Sequence, residues 1–339
     1  MKAAIITEKD KVVFQETEKP FLNEGEALIR VRYCGVCGSD VHIWKGEHAT
    51  AKFPVIPGHE FVGTLEEIKG EADDNVRIGD MVVAQPFFSC GHCKPCSKGE
   101  DNVCKHLKFL GAHANGGFAE YVKVPIRKVF SLPEGTDPQI AALAEPLAVA
   151  VHDVHRSGLK VGESVLIIGG GTIGMLVAIV ARMAGARQIV ISEVSDSRRK
   201  KAEEMGFETI DPVADGNFDR FTDGNGFDVV FEVSGSRPGV ATAIQQVTIY
   251  GMIVFVGMTK EPYPVDLREV FAKEIRIAGV RIHNQYSFMT AVEILKSGQL
   301  DDELKELISG VYSLENIEEA FSKAEKPGDF FKLLVSCGG

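Results

Sequence analysis

From Met1 to about Phe130, apolar and polar positions alternate in short runs broken by Gly, Pro and Asp: EALIRVRY (26–33), FVGTLEEI (61–68), GDMVVAQP (79–86) and FAEYVKVP (118–125). A period of two between turn residues predicts strands, so this region reads as a compact, mostly β, barrel-like domain. Helical spacing begins at PQIAALAEPLAVAVHDVHRSG (138–158). Strand and helix then alternate through SVLIIGG, TIGMLVAIVARMAG, QIVISEV, SRRKKAEEMG, DVVFEVSG, GVATAIQQV and MIVFVGM. That alternation predicts right-handed βαβ units on a doubly wound parallel sheet, an α/β domain. From about Ser287 two amphipathic helices, FMTAVEILKSG and LENIEEAFSKAE, and a last strand, FFKLLVSC, are expected.

Composition narrows the classes. A chain of 339 residues, 45% hydrophobic, is long enough for two cores. The net charge of -11 and the lack of a basic run argue against a nucleic-acid partner. The start, MKAAIITEKD, lacks the pattern of a secretion signal, and no apolar stretch approaches the ~18 residues of a membrane span. The reading places the chain in the cytoplasm. Six of the seven cysteines bunch into two clusters in the first third, which suits metal better than disulfides.

VLIIGGGTIG places Gly169, Gly171 and Gly174 in G-x-G-x-x-G spacing between an apolar strand and a helix. The first glycine permits the turn, the second admits pyrophosphate to the backbone, and the third lets helix and strand pack closely. Such a turn also arises for packing alone. The second strand tips the balance toward a dinucleotide, because it ends in Glu193, about twenty residues beyond the last glycine, where an acid can hold a ribose 2′-hydroxyl. Glu193 would repel a 2′-phosphate, which favours NAD over NADP. Arg198 and Arg199 pull the other way, since a guanidinium can pair with that phosphate; their bland reading is a solvated helix face.

CGHCKPCSKGEDNVC holds Cys90, Cys93, Cys96 and Cys104 in C-x-x-C-x-x-C-x7-C spacing. Four thiolates close a tetrahedral zinc, so this lobe is expected to brace the fold and do no chemistry. An iron–sulfur cluster competes, but ferredoxin runs have a shorter gap and a proline where Lys105 stands here. A second set of possible ligands is Cys37, His59 and Glu60, in CGVCGSDVHIWKG and PGHEFVG. One thiolate, one imidazole and one carboxylate leave a fourth zinc position open, as a catalytic zinc requires. Singly, each has a dull explanation as a core or hydrogen-bonded side chain.

Taken together, CGVCGSDVH, GHE, the four-cysteine lobe, AEPLAVAVH and GGGTIG resemble the zinc-containing medium-chain dehydrogenases, in their sorbitol, threonine and sugar-acid branch, over essentially the whole chain. The resemblance implies a GroES-like catalytic domain in residues 1–149 and 287–339, and a Rossmann dinucleotide-binding domain in 150–286. The active site is expected in the cleft between them. It also implies two zincs per chain: a catalytic one at Cys37, His59 and Glu60, with Glu145 on the metal or its water, and a structural one at the four cysteines. Ser39 matches the hydroxyl that takes the substrate proton, and His42 the surface end of the relay. Ile173, Glu193, Arg198, Val256 and Gly257 match cofactor contacts, and Arg281 a substrate-side arginine. Ile43 stands where sorbitol dehydrogenases carry a tyrosine, and the neighbours of Arg281 also differ, which leaves the substrate open between polyol and sugar acid. Arg281 beside His283 and Asn284 is closer to the sugar-acid members, where a guanidinium can pair with a carboxylate; its alternative is to brace the domain interface.

The expected function is therefore zinc-dependent, NAD-linked oxidation of a secondary alcohol to a ketone. The rivals are an L-threonine 3-dehydrogenase and a regulatory protein that keeps both ligands but performs no redox step. Relatives are commonly dimers or tetramers, so a homo-oligomer is expected. Of the remaining groups, Cys34 reads as core; His48, His92 and His106 as solvated; His113 as facing the cleft or held in its loop; His152 and His155 as packed or capped.

Overall fold

The structure is a computed structural model that describes residues 1–71, 76–259, 261–326 and 328–338. Packing divides the chain into Met1–Ala148 with Asn284–Gly339, and Val149–His283.

In the first unit the strand Glu26–Gly35 is central. It pairs antiparallel with Glu60–Lys69, with Tyr121–Pro125, and with the late strand Lys332–Ser336. The full order runs Ile308–Ser313, Lys332–Ser336, Glu26–Gly35, Glu60–Lys69, Met81–Ala84, Val129–Ser131, and a separate hairpin joins Lys2–Glu8 to Lys11–Glu16. The alternation in EALIRVRY puts Ala27, Ile29 and Val31 into a core with Leu65, Val82, Phe118, Phe321, Leu333 and Val335, all at most 2% exposed. The chain's return thus completes this unit: Gly35 stands opposite Leu334 on one side of its strand and opposite Glu60 on the other.

The second unit is a six-stranded parallel sheet ordered Glu208–Ile210, Gln188–Ser192, Ser164–Ile168, Phe227–Glu232, Val247–Phe255, Arg276–Gly279. Every residue of Ser164–Ile168 is buried, as a strand with helices over both faces demands. This is the strand order of a dinucleotide fold, whose ligand site lies at the carboxyl ends where the order reverses.

One expected helix is two. The segment from Pro138 forms Pro138–Ala141 and then Ala144–Ser157. A continuous helix would have placed Pro146 in its interior, without an N–H and against the carbonyl four residues back. Restarting at Ala144 moves Pro146 into a first turn, where its missing donor costs nothing, and leaves Glu145 in that turn.

Candidate active site

Cys37 immediately precedes the helix Gly38–Trp44, and Asp40 sits three residues further, fully buried. The Asp40 carboxylate accepts the N–H of Cys37 at 2.9 Å and the N–H of Gly58 at 3.0 Å, so one side chain ties the two ligand-bearing loops together. Gly58 has φ +94°, and a Cβ there would lie 2.8 Å from both Cys34 Sγ and Phe118, so only glycine makes this turn. The turn delivers His59, whose Nδ1 is 3.5 Å from Asp40 and whose ring meets Phe109 edge-on with centroids 5.0 Å apart. Burial opposes charge on His59, but Asp40 and Cys37 outweigh it and raise the imidazole well above its usual range. With Nδ1 turned to a carboxylate, Nε2 is the nitrogen presented for a metal. Ligand atoms of Cys37, His59 and Glu60 lie within 4.8 Å of one another.

Glu60 has a partner that sequence reading missed. Lys332 Nζ donates to both its carboxylate oxygens, at 2.6 and 2.8 Å, and to the carbonyl of Val36 at 3.2 Å. Burial opposes the lysine's charge, yet Glu60, Cys37 and Glu145 raise it above the ordinary lysine value, while burial, opposed by Lys332, raises Glu60 above the usual carboxylate range. Glu145 is buried and acts electrostatically on both Glu60 and Lys332. The available signal was a lysine at the head of the apolar run LLV in the strand KLLVS, since a lysine is buried only when paired.

Ser39 lies in the first turn of Gly38–Trp44, half-buried. His42 Nδ1 is 2.9 Å from Glu47 at the exposed end of the same helix. Ile43, expected on the substrate side, is 3% exposed and packs in the hydrophobic core. Cys34 is likewise core. His48 departs from expectation: it is half-buried, with Nδ1 accepting the N–H groups of Thr50 and Ala51.

The four lobe thiols converge within 4.8 Å, with Cys93 Sγ 3.4 Å from Cys96 and 3.8 Å from Cys104. Those separations match the edges of a tetrahedron with bonds of ~2.3 Å to zinc. Backbone N–H groups of Cys96 and Lys105 pull Cys93 down to about 6, while burial and the neighbouring thiols push Cys96 up to about 12. Four such groups ionise together only around a cation. The lobe is pinned by Asp101, whose carboxylate takes the N–H of Gln285 at 3.0 Å and the buried Lys128 at 3.2 Å.

In the second unit the glycines behave as their spacing requires. Gly169 has φ +104°, and a Cβ on Gly174 would sit 1.9 Å from the Gly169 carbonyl. A Cβ on Gly171 would meet nothing nearer than Arg198 Nη1 at 3.9 Å, so the space before the helix Thr172–Met183 is open to a phosphate. Ile173 follows in that first turn, half-buried. Glu193 is 6% exposed; its carboxylate accepts the N–H of Gly170 at 2.8 Å and of Ser195 at 2.9 Å, with Arg198 at 3.8 Å. It therefore braces the glycine turn besides ending the second strand. Arg199 is tied to Asp211 at 3.1 Å and to the Glu193 carbonyl at 2.8 Å, so it is not the solvated side chain of the bland reading. Sequence reading also missed Glu232. Its backbone carbonyl accepts both Val256 N–H and Gly257 N–H at 2.9 Å, and its buried carboxylate takes the N–H of Gly235 and the hydroxyl of Ser234. Gly257 packs so closely on Gly235 that a Cβ would lie 2.1 Å from its nitrogen. Arg281 is exposed and His283 fully buried in this unit; Asn284, in the other, caps the helix Gln285–Ser297 through Ser287 N–H.

A closed four-thiol site, a three-donor site of mixed type and a glycine-rich dinucleotide turn together define a metal-dependent, nicotinamide-linked dehydrogenase. The chain belongs to the zinc-containing medium-chain dehydrogenase family. Residues 23–134 match the alcohol dehydrogenase GroES-like domain and residues 172–297 the zinc-binding dehydrogenase domain. It is 39% identical over 317 residues, 92% of either chain, to 2-dehydro-3-deoxy-L-galactonate 5-dehydrogenase of Pseudoalteromonas atlantica. Among solved structures, a zinc-binding dehydrogenase of Sinorhizobium meliloti bound to NADP superposes with a TM-score of 0.90 at 32% identity, covering 99% of this chain and 98% of that one. An alcohol dehydrogenase of Escherichia coli in complex with NADH superposes with a TM-score of 0.92 at 28% identity, covering 99% of both. Among the described residues no helix is long and apolar enough to cross a membrane.

Proposed function

We propose that the protein oxidises a secondary hydroxyl of a polyol or sugar acid to a ketone, and runs the reverse, with one catalytic and one structural zinc per chain and NAD as hydride acceptor. The observation that carries this reading is the convergence of Cys37, His59 and Glu60 as a set of three donors among the described residues. Zinc, when bound, supplies the Lewis acidity that lowers the pKa of a substrate hydroxyl, and the nicotinamide accepts the hydride. Asp40 fixes the His59 ring and the Cys37 loop, so the ligands need no reorganisation. Glu145 adds negative charge beside Glu60. Ser39 takes the substrate proton, and His42, at the exposed end of the same helix, passes it to water. On the second unit Gly169, Gly171, Ile173 and Gly174 hold the pyrophosphate, with Val256 and Gly257 toward the nicotinamide.

NAD is preferred over NADP because the Glu193 carboxylate repels a 2′-phosphate, and Arg198, drawn toward that carboxylate, is partly neutralised. Arg281 is the substrate-side cation of this reading. A homo-oligomer is proposed from the second unit: its last strand, Arg276–Gly279, ends the sheet, and Ile277, Leu267 and Phe271 nearby are 44, 71 and 86% exposed. The proposed compartment is the cytoplasm.

The test is NADH formation by the zinc-loaded protein against alditols, aldonates and L-threonine, with metal content measured on the same sample. Turnover of alditols or aldonates, lost on chelation and restored by zinc, is expected. Undiminished turnover after chelation refutes the metal role, and turnover of L-threonine alone moves the enzyme to the amino-alcohol branch.

A further inference from the structure

The loop after the helix Gly38–Trp44 folds back on it: the carbonyl of His42 accepts the N–H groups of Glu47 at 2.8 Å and His48 at 3.2 Å. Within that loop the His48 tautomer is set by its neighbours. Nδ1 accepts two backbone N–H groups, from Ala51 at 3.1 Å and Thr50 at 3.4 Å, so the ring proton must be on Nε2. Among the described residues no protein acceptor is recorded for that Nε2–H. Burial, reinforced by His113, His42 and His59, lowers the pKa of His48, which keeps this tautomer neutral near pH 7.

The Thr50 hydroxyl is set in the same sense. His113 Nδ1 accepts the Phe109 N–H at 3.0 Å, so its Nε2 carries the proton and donates to Thr50 Oγ1 at 2.8 Å. The Thr50 hydrogen is left to donate elsewhere. Phe109 is the residue whose ring packs on His59, so this frame is built onto the wall of the Cys37–His59–Glu60 site. The His48 and His113 rings meet edge-on with centroids 6.3 Å apart. The carboxylate in the loop, Glu47, is taken by His42.

The loop therefore offers two donors: His48 Nε2–H, whose ring has its one acceptor nitrogen in use, and the Thr50 hydroxyl, with one lone pair already taken by His113. A hydroxyl ligand brings both a donor and an acceptor and would waste the first; a carboxylate is acceptor only. We infer that His48 Nε2–H and the Thr50 hydroxyl receive the carboxylate of a sugar-acid substrate, and so select acids over the matching polyols. This rests on the proposed reading of Cys37, His59 and Glu60 as the place where the carbinol reacts. It deepens that reading by naming the substrate class.

The experiment compares hexonates with hexitols of the same configuration on the zinc-loaded enzyme, as the ratio of kcat/KM for acid over polyol. Replacing His48 with Phe keeps a ring and removes the donor; the ratio should fall about 30-fold, the weight of a hydrogen bond to a charged acceptor. His48→Gln, which keeps an N–H, should recover most of it, and Thr50→Val should lower it by about tenfold. Calorimetric titration of the same aldonate into the wild-type and His48→Phe proteins should show a parallel loss of affinity. A ratio unchanged within about twofold in His48→Phe and Thr50→Val, or a wild-type protein that binds no aldonate, overturns the proposal. A wild-type enzyme that binds aldonate through His48 but oxidises neither substrate refutes the dehydrogenase reading and leaves the acid site standing.

Discussion

Replacing Lys332 with Met should tighten zinc binding while weakening the metal-free fold. The lysine and Glu60 are 4% and 2% exposed, joined by contacts of 2.6 and 2.8 Å. Removing one member of such a buried pair costs ~3–5 kcal/mol, because the other charge is left without a partner. That cost already includes the relief Glu60 gains in the metal-free variant by taking up a proton. Zinc restores a positive charge beside the carboxylate, so with metal bound the penalty should shrink to about 2 kcal/mol, the size of the lost hydrogen bonds. The difference, ~2 kcal/mol, appears as a zinc dissociation constant about 30-fold lower than wild type in competition with a chelator. Calorimetry in buffers of different ionisation enthalpy should count about one more proton released per zinc, the one Glu60 gives up. The sign with pH is also determined. A lysine raised above its ordinary value contributes fully below pH ~10.4 and loses its contribution only as pH rises through the folded value, so the lysine's own contribution is flat across pH 6–9 and any slope there reports the proton that Glu60 takes up in the variant. Zinc affinity equal to or weaker than wild type in Lys332→Met would show that Glu60 does not face the metal.

Zinc affinity at the same site should fall as pH drops through the raised His59 value, because the metal must displace the Nε2 proton of an imidazolium that Asp40 stabilises. Asp40→Asn should move that dependence to lower pH in a chelator competition series, and an unmoved profile refutes the coupling. Cys93→Ser should reduce bound zinc from two to one per chain and lower the unfolding temperature; an unchanged melt refutes a bracing lobe. Asp153 is buried, its oxygens have no hydrogen-bond partner among the described residues, and burial alone raises its carboxyl well above the usual value. The unfolded chain ionises it first, so it destabilises increasingly as pH rises from ~4 toward its folded value. Asp153→Ala should then be more stable than wild type by ~1–3 kcal/mol at pH 7 and by less at pH 4, read by denaturant titration at the two pH values; a loss of stability at pH 7 refutes this.

The features legible in the sequence are those whose physics is local. The glycine turn could be read because each glycine answers to atoms a few residues away, Gly174 to Gly169 above all. The four-thiol lobe could be read because its ligands close one short loop. Helix boundaries were legible only in part: Pro146 announces a restart, but where the chain restarts depends on what it packs against. His48 looked solvated because nothing in its neighbourhood states that two backbone N–H groups will be aimed at it. Glu193 was legible as an acid ending the second strand, but not as the brace of Gly170.

Lys332 and Glu60 mark where local reading stops. They are 272 positions apart, and three segments must meet before they touch. Gly35 stands opposite Glu60 in one ladder and opposite Leu334 in another, which places Lys332 two residues along the same strand. Gly35 must also lack a side chain, because a Cβ there would lie 2.1 Å from the Glu60 carboxylate. A lysine at the head of an apolar strand states that a buried anion exists, since unpaired burial of its charge is too costly to persist. It cannot state which anion. That choice belongs to the sheet: the ladder that closes the catalytic unit over its own C-terminal strand brings a cation to the carboxylate proposed for the metal.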